Sequence, residues 1–228
     1  GTMLILIVWK NITGRAIREQ QRIAMTNAVA HNLKTPLCVI NGFSENLREE
    51  DGYLTKQHYI DVIQQQAGDM DALVHKMLDF SKLESDSAKL NIKSFNIKTE
   101  LENIAKKYNN ISSKNIIVTA DDKEIFADKE LMELVFENLI ENAVKYSKDN
   151  SDIKISFANN NFNISNECDE ISKKDLKKIW KPYNRLEKDE EVRGTGIGLS
   201  IVKHILKLHR IKPYTEYSGG RLIIGFYI

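Results

Sequence analysis

Glu137-Asn138-Leu139-Ile140-Glu141-Asn142-Ala143-Val144-Lys145-Tyr146-Ser147 closes a strongly patterned segment that opens at Asp128. The spacing predicts a helix over 128–147, with Asp128 as its N-cap. Asn138 and Asn142 are four residues apart, so their amides share one helix face, with Lys145 beside them. Two amide oxygens suit a hard cation, and the ammonium suits a phosphate. The competing reading is a solvated polar face.

Downstream, Ile153–Phe157 and Phe162–Ser165 alternate about Asn159-Asn160-Asn161, which reads as a hairpin turn. Next come Ile164-Ser165-Asn166-Glu167-Cys168-Asp169-Glu170-Ile171, a short helix over 172–180 and a polar loop. Arg193-Gly194-Thr195-Gly196-Ile197-Gly198-Leu199-Ser200 then leads into a helix over 197–209. Glycines ahead of a helix let backbone N–H groups approach phosphate oxygens. Two strands around Ser218-Gly219-Gly220 end the chain. Upstream, strands are expected at 115–119 and 124–127, a helix at 97–108, and a polar linker at 85–94. The second half is thus an α+β domain with helices over a mixed sheet.

The first half is helical. Ala16, Ile23, Ala30 and Leu37 recur every seven residues, as do Leu33, Ile40 and Leu47 after polar Glu19 and Thr26. Pro36 lies inside this pattern, where a kink is expected. After Asp51-Gly52, the series Ile63, Met70, Met77 and Ile60, Ala67, Val74 continue it over 55–84. One antiparallel hairpin cannot bury all of these seams, so a four-helix bundle formed by a homodimer is expected. His31 adjoins seam residue Ala30, at the flank of the bundle, where a neutral imidazole is a competent nucleophile.

Composition limits the alternatives. The 228 residues carry 33 Lys and Arg against 32 Asp and Glu, a net charge of +1, which argues against a general nucleic-acid binder. The chain has 42% hydrophobic residues, 3 prolines and two separated cysteines, Cys38 and Cys168, as expected of a globular protein in a reduced setting. Gly1-Thr2-Met3 reads as a vector scar. Leu4-Ile5-Leu6-Ile7-Val8-Trp9, followed by basic residues, reads as a membrane-proximal remnant or as a short buried strand or helix start. The first reading implies a membrane-anchored parent whose cytoplasmic portion is this chain.

Taken together, these patches resemble the catalytic core of a bacterial two-component sensor histidine kinase. Residues 1–15 would be scar and remnant, 16–88 the dimerisation and phosphotransfer hairpin, and 89–228 an ATP-binding domain of the fold shared with gyrase, the Hsp90 chaperone and MutL. The resemblance implies ATP and Mg²⁺ as ligands, a homodimer, and a response regulator receiver domain as partner. It makes His31 the phosphoacceptor and places Thr35 where the family positions water for dephosphorylation. Asn142 and Asn138 would hold Mg²⁺, Lys145 the phosphates and Tyr146 the adenine. Gly194, Thr195, Gly196, Gly198 and Leu199 would cradle phosphates, with Arg185 and Arg193 flanking the lid. Ile179-Trp180-Lys181-Pro182-Tyr183 resembles the family's aromatic box.

Two departures stand out. The family's acid after the phosphoacceptor is Asn32, which cannot take the imidazole proton. The adenine-binding Asp falls at Asn166, and two glycines fall at Cys168 and Glu170, which add side chains where the backbone normally makes a tight turn. The lid carries Glu187, Asp189, Glu190 and Glu191. Weak ATP binding and slowed autophosphorylation follow. A pseudokinase biased toward phosphatase action, or an ATPase without histidine transfer, are the competing readings.

Overall fold

The computed structural model describes residues 30, 33–47, 55–84, 90–182 and 196–228. The chain divides between Lys76 and Met77 into two compact units. In the first, helix α1 spans 33–47, with helix on both sides of Pro36. Helix α2 spans Lys56–Glu84, as its heptad pattern predicts. Phe43 of α1 meets Tyr59 of α2 edge-on, with ring centroids 5.7 Å apart. Among the described side chains of α2, the buried ones are Tyr59, Gln66 and Leu73, spaced by heptads but one position away from the Ile60 series. Ile60, Ala67 and Val74 remain exposed, as does Leu37 of α1. One hairpin has one internal face. The predicted series Leu33, Ile40, Leu47 and Ile63, Met70, Met77 are half-buried, whereas Leu37 and the Ile60 series leave apolar side chains at the outer surface.

Past α2, the second unit shows a difference from the sequence reading. Overlapping the end of the expected linker, Ile92–Asn96 forms strand β1, antiparallel to β3 (Glu124–Asp128). Only Phe95 of β1 is buried. The strand owes its existence to a partner about 30 residues away, which local composition cannot reveal. Helix α3 follows (Ile97–Ile111), capped by the Asn96 side chain, which accepts from the Thr99 N–H at 3.0 Å. Then come β2 (Ile116–Ala120), α4 (Lys129–Tyr146), β4 (Ile153–Ala158), β5 (Asn161–Glu167), α5 (Lys173–Lys178), α6 (Gly198–Leu208), β6 (Tyr214–Ser218) and β7 (Arg221–Tyr227).

Five strands form one mixed sheet in the order β2-β4-β5-β7-β6. The β2–β4 pair is parallel and the others are antiparallel. Alternate residues of β4 and β5 (Ile153, Ile155, Phe157, Phe162, Ile164) are buried, as strand geometry requires when one face is covered. Phe136 of α4, Phe162 of β5 and Phe226 of β7 cluster in this core, with Phe162 and Phe226 centroids 4.8 Å apart. The β4–β5 turn places Asn159 and Asn160 at φ 52° and 62°, and the β6–β7 turn places Gly219 and Gly220 at φ 58° and 78°. Both pairs satisfy the left-handed backbone of tight hairpins.

The start of α4 is fixed twice. One carboxylate oxygen of Asp128 accepts from the Leu131 N–H at 3.2 Å, and the other from the Asn91 N–H at 2.8 Å. Asp128→Ala removes both and is expected to lower stability by at least about 1–2 kcal/mol, read by urea unfolding. On α4, half-buried Glu133 lies near the buried Glu100 of α3 and near Glu137. Burial first, and then these two charges, raise its pKa above the ordinary carboxylate value. The ionised form is therefore disfavoured in the fold, and the wild type recovers stability as pH falls through the raised pKa. Glu133→Gln is expected to stabilise by about 0.2–0.5 kcal/mol at pH 8, an advantage that disappears at low pH in the same unfolding measurement.

Candidate nucleotide site

Helices α4 and α6 lie side by side, and the amides singled out in the sequence face the first residue of α6. Asn138 is 3% exposed, and its Nδ2 donates to the Leu134 carbonyl at 2.8 Å. That bond turns Oδ1 toward Gly198. A methyl group built on Gly198 would lie 2.9 Å from this oxygen and 3.6 Å from Nδ2 of Asn142. Both of these amide atoms are buried without a hydrogen-bond partner. Leaving such atoms unsatisfied costs about 1–3 kcal/mol each. A half-turn of the Asn142 amide would present its oxygen at the same place. The absent side chain of Gly198 thus lets α6 pack closely against two unsatisfied amide atoms, and such unsatisfied buried groups mark a candidate ligand site.

One turn further, the Lys145 ammonium lies 5.4 Å from the centroid of the Tyr146 ring. The end of α4 is held by Lys114, whose Nζ donates to the carbonyls of Ser147 at 3.2 Å and Lys148 at 2.8 Å, and to Asp149 at 3.0 Å. The Lys148 N–H donates to the Glu167 carbonyl at 2.9 Å, joining this end of α4 to the end of β5. That junction places Asn166, which is buried and makes a long contact of 3.4 Å from Nδ2 to the Glu167 carbonyl.

Cys168 and Glu170 do not strain the chain. The non-glycine residues at positive φ among those described are Asn150, Asn159, Asn160 and Arg210. Cys168 is instead buried, and its N–H donates to the Gly220 carbonyl at 3.2 Å. The Tyr217 hydroxyl donates to the Cys168 carbonyl at 3.4 Å. The β6–β7 hairpin, not a glycine turn, holds this segment.

At the other wall Gly196 takes φ 67°, a conformation that favours glycine. Helix α6 then begins at Gly198 with no side-chain cap on its first turn. Ile197 is fully buried, and the Ser200 hydroxyl turns back to donate to its carbonyl at 2.6 Å. Leu199 is half-buried in the same turn. An uncapped helix start is electrostatically suited to an anion.

The structure therefore brings together Asn138, Asn142 and Gly198. Lys145 and Tyr146 continue along α4, and Asn166 sits at the end of the neighbouring strand. Thr35 is exposed on α1. His31, Asn32, Arg185, Arg193, Gly194 and Thr195 lie outside the described residues. Among the described residues no group of three or more His, Cys, Asp or Glu converges as a metal site. Sequence reasoning missed Lys114, whose partners lie more than 30 residues away, and the tie from Asn91 to Asp128. No local pattern marks either one.

Comparison with known proteins agrees with this geometry. Residues 21–86 match the His Kinase A (phospho-acceptor) domain, and residues 127–224 match the histidine kinase-, DNA gyrase B- and HSP90-like ATPase domain. The sensor histidine kinase ArsS of Helicobacter pylori is 25% identical over 89% of this chain and 46% of its own length. The sensor protein kinase WalK of Staphylococcus aureus is 27% identical over 95% of this chain and 55% of its own. The chain thus spans about half the length of these relatives. Among solved structures, the Acinetobacter baumannii histidine kinase AdeS superposes with a TM-score of 0.70 at 21% identity, covering 87% of this chain and 96% of that one. The histidine kinase ThkA, solved in complex with the response regulator protein TrrA, gives 0.70 at 22% identity, covering 96% and 66%. No helix among the described residues is long and apolar enough to cross a membrane. A phosphoacceptor domain followed by this ATPase domain, with the paired amides and the glycine-led helix inside the second, is the organisation of one family, and the chain belongs to it: the sensor histidine kinases of two-component systems.

Proposed function

We propose that the chain transfers the γ-phosphoryl group of ATP to His31 and passes it on to an aspartate of a response regulator receiver domain. The observation that carries this reading is the pair of buried, unpartnered amide atoms on Asn138 and Asn142 beneath Gly198. Asn138 and Asn142 would hold Mg²⁺, which supplies charge neutralisation at the phosphate oxygens. Lys145 adds a positive charge beside them, and Tyr146 and Asn166 take the adenine end. Gly194, Thr195, Gly196, Gly198 and Leu199 give backbone donors to the phosphates, with Arg185 and Arg193 adding charge at the lid.

In the transfer, an imidazole nitrogen of His31 forms the new P–N bond as the bond to the β,γ-bridging oxygen breaks. ADP leaves with that electron pair, and the ring proton passes to water, because Asn32 has no basic atom to receive it. Such a reaction depends on positioning and charge neutralisation. Residues 16–88 serve as the dimerising hairpin. The exposed Leu37, Ile60 and Val74 support a four-helix bundle built from two copies. Residues 89–228 bind the nucleotide. Anchoring of a parent protein to a membrane rests on residues 4–9 alone.

A second reading, a phosphatase-biased partner that uses Thr35, is favoured by Asn32 and by the closed, hydrogen-bonded segment at Cys168. The separating experiment is calorimetric titration with ATP and Mg²⁺, followed by assay of a phosphorylated receiver. The main reading expects saturable, Mg²⁺-dependent ATP binding. An absence of binding at millimolar Mg·ATP contradicts it.

A further inference from the structure

We infer that His209 is a positioning residue for the nucleotide site, acting from the opposite end of α6. Its Nε2 accepts a hydrogen bond from the Asp128 backbone N–H at 3.1 Å, and its Nδ1 lies 2.9 Å from the Ile205 carbonyl. A carbonyl only accepts, so Nδ1 carries the proton and Nε2 is the bare nitrogen. The imidazole thereby ties the residue that ends α6 to the residue that begins α4.

Helix α6 has 11 residues, so the tie lies about 16 Å from Gly198. At that far end Gly198 meets Asn138 and Asn142. The helices run antiparallel, with one contact at each end of their shared length. Between the ends α6 buries Ile201, Val202, Ile205 and Leu206. Apolar packing of this kind opposes separation of the helices but discriminates weakly against axial slip, because it is non-directional. A hydrogen bond is directional and short-ranged. His209 therefore sets how far α6 stands along α4, and a slip of one residue, about 1.5 Å, would carry Gly198 off the two amides. Asp128 also holds the Asn91 N–H at 2.8 Å, so the same junction fixes the chain where it enters β1.

The proposal rests on the nucleotide reading of Asn138 and Asn142, and its test has one arm free of nucleotide. His209→Gln keeps an acceptor within reach of the Asp128 N–H, whereas His209→Leu keeps bulk without one. By NMR, wild-type His209 is expected in the Nδ1–H tautomer. The Asn138 side-chain amide resonance is expected to move in His209→Leu and to return toward its wild-type position in His209→Gln. The ATP Kd is expected to rise roughly tenfold in His209→Leu and to stay within about threefold of wild type in His209→Gln. Combined with Gly198→Ala, the effect of His209→Leu is expected to be less than multiplicative, although sites this far apart are normally independent.

An Nε2–H tautomer, an Asn138 resonance unmoved by His209→Leu, multiplying effects, or a Gln variant as impaired as the Leu variant would each overturn the proposal. Where His209→Leu fails to fold, the tautomer and the His209→Gln comparison still decide it. A wild-type protein that binds no ATP would contradict the function proposed above, while the tautomer and the Asn138 resonance would still judge His209.

Discussion

An Asn32→Asp variant is expected to take up phosphoryl label from ATP roughly 10²-fold faster than the chain carrying Asn32. The attacking imidazole must lose its ring proton as the P–N bond forms. A carboxylate next to His31 can accept that proton during attack. The Asn32 amide can orient the ring by accepting a hydrogen bond, but its oxygen is far too weak a base to keep the proton. Replacing the amide by a carboxylate therefore adds a base without changing size. The gain should fall on the rate of labelling at saturating ATP and leave the ATP Kd nearly unchanged, since residue 32 follows the acceptor in sequence and belongs to neither the amide nor the glycine motif. Rapid-quench labelling with radioactive ATP gives both quantities. An unchanged rate would mean that water removes the proton as readily as a carboxylate, and Asn32 would cease to be evidence for a slow kinase.

Gly198→Ala is expected to raise the ATP Kd by at least about tenfold while leaving α6 folded. Helix propensity alone predicts the opposite sign, since Ala is favoured over Gly by about 1 kcal/mol inside a helix. The new methyl, however, would sit 2.9 Å from Oδ1 of Asn138. That side chain cannot easily yield, because its Nδ2 is held by the Leu134 carbonyl and the residue is buried. Either the amide turns, breaking that bond, or α6 moves away from α4. Both outcomes misplace the groups proposed to meet the phosphates and the cation. Calorimetry reads the affinity and thermal melting reads the fold. Wild-type affinity with a higher melting temperature would show that the close approach at Gly198 serves no ligand.

Much of the fold was legible wherever the governing interaction is local. The Asp128 cap, the period of α4 and the Asn159-Asn160 turn all lie within a few residues of what they control. Strand β1 was not legible, because Ile92 and Ser94 face outward and its pairing with β3 is long-range. Nor was the buried heptad series of the hairpin. Tyr59, Gln66 and Leu73 are chosen by which face of α2 meets α1, and heptad spacing alone does not decide that. At the site, residue types and spacing identified Asn138, Asn142 and Gly198 as members of separate motifs. Their contact joins positions 60 residues apart and is a property of how α6 packs on α4. The accommodation of side chains at Cys168 and Glu170 was hidden for a related reason: hydrogen bonds from the β6–β7 hairpin hold the segment without a left-handed residue.

The central claim is that ATP phosphorylates His31. Incubation with γ-labelled radioactive ATP and Mg²⁺, beside a His31→Gln control, tests it most directly. The account predicts protein-bound label that is lost in acid, survives base, and is absent from the control. Label that persists in His31→Gln, or no label from a wild-type protein shown to bind ATP, would contradict it.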